Sequence, residues 1–248
     1  MDELLGENYK QLYGGYYNDS IATKRMLAAQ DTLEHIRALL GPKRFGRVID
    51  VGAGEGSLLD LLCKDAIADE LHAVEISASG LQAINARSLP IEARSFDGYH
   101  IPYADQYFDL AISIHVLEHV EHERLLLREL RRVSKQLLIE VPIEGGLRVD
   151  RAIAVSGPYG HINFYLPAGF LNLLTTTGFR VLGSRVLTSS LRYEQYVGGA
   201  VKGRVKHLIR KAALKAFPRL APALMTYVMT VHCEPKDSSE SRVEVPIP

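Results

Sequence analysis

"VIDVGAGEGSLLDLL", residues 48–62, decides the fold. A β-type apolar run, Val48-Ile49-Asp50-Val51, meets Gly52, Gly54 and Gly56 and then a leucine-rich stretch. Glycine inside regular structure costs roughly 0.5–1 kcal/mol relative to alanine, so this crowding marks a turn with a purpose. As strand, turn and helix, the segment lets the backbone bend tightly and approach a ligand with no Cβ in the way.

Outward from this loop, strand and helix signals alternate. β-type runs fall at Arg47–Val51, Leu71–Glu75, Ile91–Ser95, Phe108–Ser113, Gln136–Val141, Arg180–Leu187 and Met225–His232. Helical spacing occupies Ser20–Leu40, with Asp19 or Ser20 as N-cap and Gly41-Pro42 as stop. It recurs at Ser57–Lys64, Ser77–Ser88, Glu121–Val133 and Pro167–Thr177. Such repetition predicts an α/β fold with right-handed crossovers and a parallel sheet covered on both faces. A ligand then sits at the carboxyl ends of the strands, where the strand order reverses, and the glycine loop lies at that edge.

The gross numbers agree with one elaborated domain. The 248 residues are 47% apolar and 23% charged, with zero formal net charge, so nothing global points to nucleic acid as the partner. Cys63 and Cys233 form no CxxC pattern, and MDELLGENYK lacks a signal-peptide layout. A soluble cytoplasmic protein is expected.

The ligand is narrowed by charge. In the dinucleotide fingerprint GxGxxG, counted from Gly52, the third glycine falls on Ser57. Asp50, two residues before the loop, is unfavourable beside a pyrophosphate and suits a cationic ligand. Glu75, ending the second strand, is placed for a ribose diol, although NAD enzymes carry an acid at a similar distance.

The ordered set "VIDVGAGEGSLL", "VEIS" (74–77), "SFDG" (95–98), "IPYADQYFDLAISIHVLEHV" (101–120) and "GHINFYLPAGFLNLLTTTGFRVL" (161–183) resembles the class I S-adenosylmethionine-dependent methyltransferases of the small-molecule type. The likeness spans about residues 45–187, with Met225–His232 as the expected last strand. It implies a Rossmann-like, seven-stranded, mostly parallel sheet with the last strand antiparallel, in a three-layer αβα sandwich. By resemblance, Asp50, Gly52 and Gly54 cradle the methionine end of S-adenosylmethionine and Glu75 holds the ribose. Ile76 packs on the adenine, Asp97 meets its amino group beside Phe96 and Gly98, and Ser113 and His115 line the pocket. The implied layout is one domain over 1–234: an arm and helix (1–44), a cofactor-binding core (45–187), an inserted helical cap (188–224) and the last strand (225–234). A disordered tail (235–248) follows.

The expected activity is methyl transfer to a small-molecule acceptor, most plausibly at oxygen. No [DN]PP[YF] tetrapeptide follows the fourth strand, which disfavours nucleic-acid bases as acceptors. Alternatives are an NAD-dependent oxidoreductase and a cofactor-binding protein without transferase activity. An oxygen acceptor calls for a base, and histidine is the usual candidate. His161, in the Pro142–Leu166 connection with Gly157, Tyr159, Gly160 and Tyr165, is the expected general base, and His115 the second catalytic candidate.

Three further features carry expectations. His115-Val-Leu-Glu118-His119 matches the H-x-x-E-H zinc pattern, with His122 at helical spacing. It falls where the methyltransferase pattern puts a helix, so no metal is expected and Glu118 and His119 are read as supporting residues. Tyr9, Tyr13, Tyr16 and Tyr17 suggest a lid or a packed arm. The Ala200–Ala216 helix, basic with an apolar stripe, is expected to pack by one face as a cap, with membrane-surface contact secondary.

Overall fold

The computed structural model describes residues 22–147, 149–156 and 160–236. The N-terminal tyrosines, Asp19, Ser20, Gly157, Tyr159 and residues 237–248 lie outside this range.

β1 (Phe45–Val51), β2 (Ala68–Glu75), β3 (Ile91–Ser95), β4 (Leu110–Ile114), β5 (Leu137–Ile143), β6 (Phe179–Leu187) and β7 (Tyr227–Pro235) form one sheet in the order β3-β2-β1-β4-β5-β7-β6. β1 pairs in parallel with β2 and β4, and β7 runs antiparallel between β5 and β6. The expected topology is therefore present, and the order reverses between β1 and β4.

Burial follows strand position. β5 is buried along its whole length and β4 along most of it, whereas edge strand β3 alternates. That is the pattern of central strands covered on two faces. Alternate residues of β1 feed opposite layers. Val48 packs with α1 (Ala22–Leu40) and α2 (Ser57–Lys64) through Leu33, Ile36, Leu59 and Leu62. Ile49 and Val51 pack on the other face with α4 (Glu123–Val133) and α6 (Pro167–Thr176). Between these lies α3 (Ala78–Ala86), N-capped by the Ser77 hydroxyl, which accepts from Gly80 N.

Sequence periodicity missed α5 (Val149–Ser156) and a 3-10 turn at Leu117–His119. The 188–224 segment contains α7 (Leu191–Gly198), α8 (Ala200–Ala216) and α9 (Ala221–Leu224). α8 reverses the expected orientation. It buries only Gly203, while Val201, Val205, Leu208 and Ile209 are 50–76% exposed. The cause is Glu194 of α7, 1% exposed, which draws Arg210 inward at 2.5 Å and also pairs with the half-exposed Lys206 at 2.8 Å. Gly203 permits the close approach, since a Cβ there would lie 2.2 Å from the Glu194 carbonyl oxygen. A buried carboxylate that needs cations outweighs the apolar stripe. No helix among the described residues is long and apolar enough to cross a membrane.

Candidate active site

The glycine loop turns as its sequence requires. Gly52, Gly54 and Gly56 all take positive φ, at 80°, 59° and 82°. A Cβ on Gly52 would lie 2.4 Å from Val116 Cγ2. Beyond the loop, a cleft of about 290 Å³ opens at the carboxyl end of β1. Asp50, Gly52, Gly54 and His115 line it, joined by Arg25, Glu55 and His119.

Asp50 is 2% exposed, and burial, helped by the nearby Glu75, pushes its carboxyl up to about 7. Glu75, also 2% exposed, accepts from Gly54 N and Ser77 N, each at 2.8 Å, so it ties the loop to α3. Burial raises its pKa, while those backbone bonds oppose the rise. This edge fits S-adenosylmethionine better than a dinucleotide. A buried acid short of positive charge favours an ammonium or sulfonium and repels a pyrophosphate.

The other residues implied by resemblance do not line this cleft. Ile76 is half-buried after β2. Phe96 packs on the core, and Asp97 Oδ1 accepts from Tyr99 N and His100 N at 2.8 and 2.6 Å, shaping the loop after β3 with Gly98 at φ 94°. Ser113 is 1% exposed within β4, and its Oγ has no partner among the described residues.

His115 adopts φ 54° between two buried acids. Its Nδ1 lies 3.2 Å from Glu118 Oε1 and its Nε2 3.4 Å from Glu140 Oε1. Burial would lower its pKa, but hydrogen bonds and charge from Glu118 and Glu140 raise it to about 10. The two acids favour the cationic form of His115 beside the cleft. Glu140 is also bound by His35 Nδ1 at 2.8 Å, Thr32 Oγ1 at 3.3 Å and Thr230 Oγ1.

The H-x-x-E-H segment is no zinc-protease helix. His115 is left-handed, Leu117–His119 is a 3-10 turn, and His122 starts α4 away from the pair. In its place comes His161, brought from the Gly160–Tyr165 segment. Ile162 N and Asn163 N donate to the Glu118 carbonyl at 2.8 and 3.1 Å, and Asn163 Nδ2 donates to the Leu117 and Val120 carbonyls. His161 Nδ1 lies 2.9 Å from Glu144 Oε2, and the His161 ring meets that of His119 edge-on, centroids 4.9 Å apart. Sequence reasoning missed Glu140 and Glu144. Both lie on or just after a strand buried along its whole length, where only the charge itself could have signalled them.

Comparison with known proteins agrees with this geometry. A family model described as "Methyltransferase domain" matches residues 25–183. Ajmaline N-methyltransferase of Rauvolfia serpentina is 28% identical over 191 residues, covering 68% of this chain and 65% of the relative. Malonyl-[acyl-carrier protein] O-methyltransferase of Halorhodospira halophila is 30% identical over 119 residues, covering 47% and 40%. The match thus spans less than two thirds of either relative's length. Geranyl diphosphate C-methyltransferase of Streptomyces coelicolor, solved with S-adenosyl-L-homocysteine, superposes with a TM-score of 0.61 at 14% identity, covering 90% of this chain and 88% of that one. A glycine loop behind a buried acid, a β3-β2-β1-β4-β5-β7-β6 sheet and a family match over most of the chain converge, and the chain belongs to the methyltransferase-domain family, with the class I methyltransferase fold.

Proposed function

We propose that this chain transfers the methyl group of S-adenosylmethionine to an oxygen of a small-molecule acceptor. Asp50, Gly52 and Gly54 hold the methionine end, Glu75 the ribose, and Ile76, Phe96, Asp97 and Gly98 the adenine side. The bound cofactor supplies a methyl group on a sulfonium, open to in-line attack. Carrying the oxygen assignment is one observation: His119 lines the cofactor cleft and also touches His161, whose Nδ1 is held by Glu144. A carboxylate fixing one imidazole nitrogen orients the other toward a substrate proton. The printed names of the relatives span nitrogen, oxygen and carbon acceptors, so the acceptor atom is the point to test.

Assay of a panel of phenols, carboxylic acids and amines, with products located by NMR, decides it. Methylation at oxygen is expected, and products methylated only at nitrogen or carbon would overturn the reading. With the acceptor in hand, His161→Ala should cut turnover about 100-fold or more, with cofactor affinity retained.

The 188–224 segment acts in this reading as the acceptor-side cap. Lys206, Arg210 and Met225 share with Glu144 and Arg151 a cleft of about 320 Å³. The outward stripe of α8, flanked by Lys202, Arg204, Lys211 and Lys215 with no acidic residue in the helix, favours a second role in contact with an anionic membrane surface. Sedimentation with phosphatidylglycerol vesicles, lost on Leu208→Asp with Ile209→Asp, tests it. No sedimentation of the unaltered chain would remove that role.

A further inference from the structure

We infer that Glu118, His119 and His161 form a binding site for one first-row divalent metal ion, of the zinc or manganese class, at the lip of the cofactor cleft. One ligand atom from each of the three lies within 4.8 Å of the others. Two atoms bound to a common ion at about 2.1 Å are at most about 4.2 Å apart, so side-chain rotations of about an ångström complete the coordination.

A second observation points the same way. Glu118 is fully buried; its Oε1 faces His115, while its Oε2 has no hydrogen-bond partner among the described residues. A buried carboxylate oxygen without a donor is costly, and a bound ion is one way to complete it. One nitrogen of each ring is held from behind, His161 Nδ1 by Glu144 Oε2 at 2.9 Å and His119 Nδ1 by the Gly160 carbonyl at 3.3 Å. Metal-binding imidazoles are oriented in this manner, their far nitrogen held by a carboxylate or carbonyl. The backbone bonds from Ile162 and Asn163 to Glu118 fix the two halves of the cluster in register.

The donor set selects the ion. Two imidazoles and one carboxylate suit zinc, manganese or iron, whereas magnesium prefers oxygen ligands alone. Three protein ligands leave coordination positions open, as catalytic sites do. His119 belongs to the cleft wall as well, so an acceptor hydroxyl reaching the cofactor could bind the ion. A metal ion lowers the pKa of bound water to about 7; a bound hydroxyl would likewise release its proton to solvent and keep its oxygen on the metal. This use rests on the oxygen-transfer reading and changes His161 from proton acceptor to ligand. The site itself stands without that reading.

The test is calorimetric titration of the full chain, freed of metal by chelator, with Zn2+, Mn2+ and Mg2+ separately. Zn2+ or Mn2+ should bind at one per chain, at least tenfold more tightly than Mg2+. Glu118→Gln and His161→Ala should each weaken binding at least tenfold, and Glu144→Gln by about tenfold through lost orientation. S-adenosylmethionine affinity, measured on the same variants, should stay unchanged and shows that they fold. Absence of stoichiometric binding, or undiminished binding in the Glu118→Gln/His161→Ala double variant, would overturn the site. Metal binding without oxygen-methylated product would instead sink the oxygen reading and leave the site standing.

Discussion

Two carboxylates on the same face of the sheet, Asp50 in β1 and Glu140 in β5, are 2% and 1% exposed. Their electrostatic fates are opposite. Asp50 is pushed up to about 7 by burial and by Glu75. Burial alone would raise Glu140 too, but hydrogen bonds and charge from His115 and His35 hold it well below the usual carboxylate range. The difference separates scaffold from site. Glu140 is completed by the fold, through two imidazoles and two threonine hydroxyls. In the proposed reading, Asp50 meets a cation from outside.

The largest expected effect breaks the scaffold half. Glu140→Ala leaves His35 and His115 without their shared acid, and should cost about 3–5 kcal/mol in urea unfolding. Because the folded-state pKa of Glu140 lies below its unfolded value, its contribution is whole above about pH 4.3 and lost as pH falls. The variant should therefore resist further acid destabilisation in that range. A cost under about 1 kcal/mol would mean the network is ornamental.

Next comes Asp50→Asn, which should weaken S-adenosylmethionine binding by about 10- to 100-fold, equivalent to losing a charged hydrogen bond of roughly 1.5–3 kcal/mol. The same change should raise the melting temperature of the ligand-free protein at pH 8. An acid whose folded pKa is raised loses stability between its unfolded value near 4 and its folded value near 7. A less stable Asp50→Asn protein at pH 8 would place Asp50 with Glu140, as scaffold.

Glu75→Gln is the smallest of the three. It weakens the tie to Gly54 N and Ser77 N, and should reduce affinity by about tenfold. By removing the charge next to Asp50 it should also move the pH dependence of cofactor binding to lower pH, and an unmoved curve would uncouple the two acids.

The cofactor edge was legible because its signal is local. Asp50 and the glycines sit within a few residues, and Glu75 ends the next strand. The seven-stranded, mostly parallel sheet with its antiparallel last strand followed from the alternation of elements and the family likeness. His161 was singled out, but its partners were not legible, because they come from distant segments. His161 meets His119 through backbone bonds to a 3-10 turn, and helical spacing misread that turn by pointing to His122. Glu140 acquired its partners from α1 and β7. The orientation of α8 was hidden for the same reason: the residue that sets it, Glu194, lies outside the helix.

The central claim is that Asp50 awaits the cationic end of S-adenosylmethionine, and the pH dependence of binding tests it most directly. Arg25, paired with Glu55 at 2.6 Å, His115 and His119 line the same cleft, so calorimetry from pH 6 to 8.5 is run on the unaltered chain and on Asp50→Asn together. Asp50 must give up its proton to meet a cation, so affinity should tighten by about tenfold per unit below pH 7 and level off above it. In Asp50→Asn the curve should be weaker and flat. Equal, pH-independent affinity in both proteins would contradict the account.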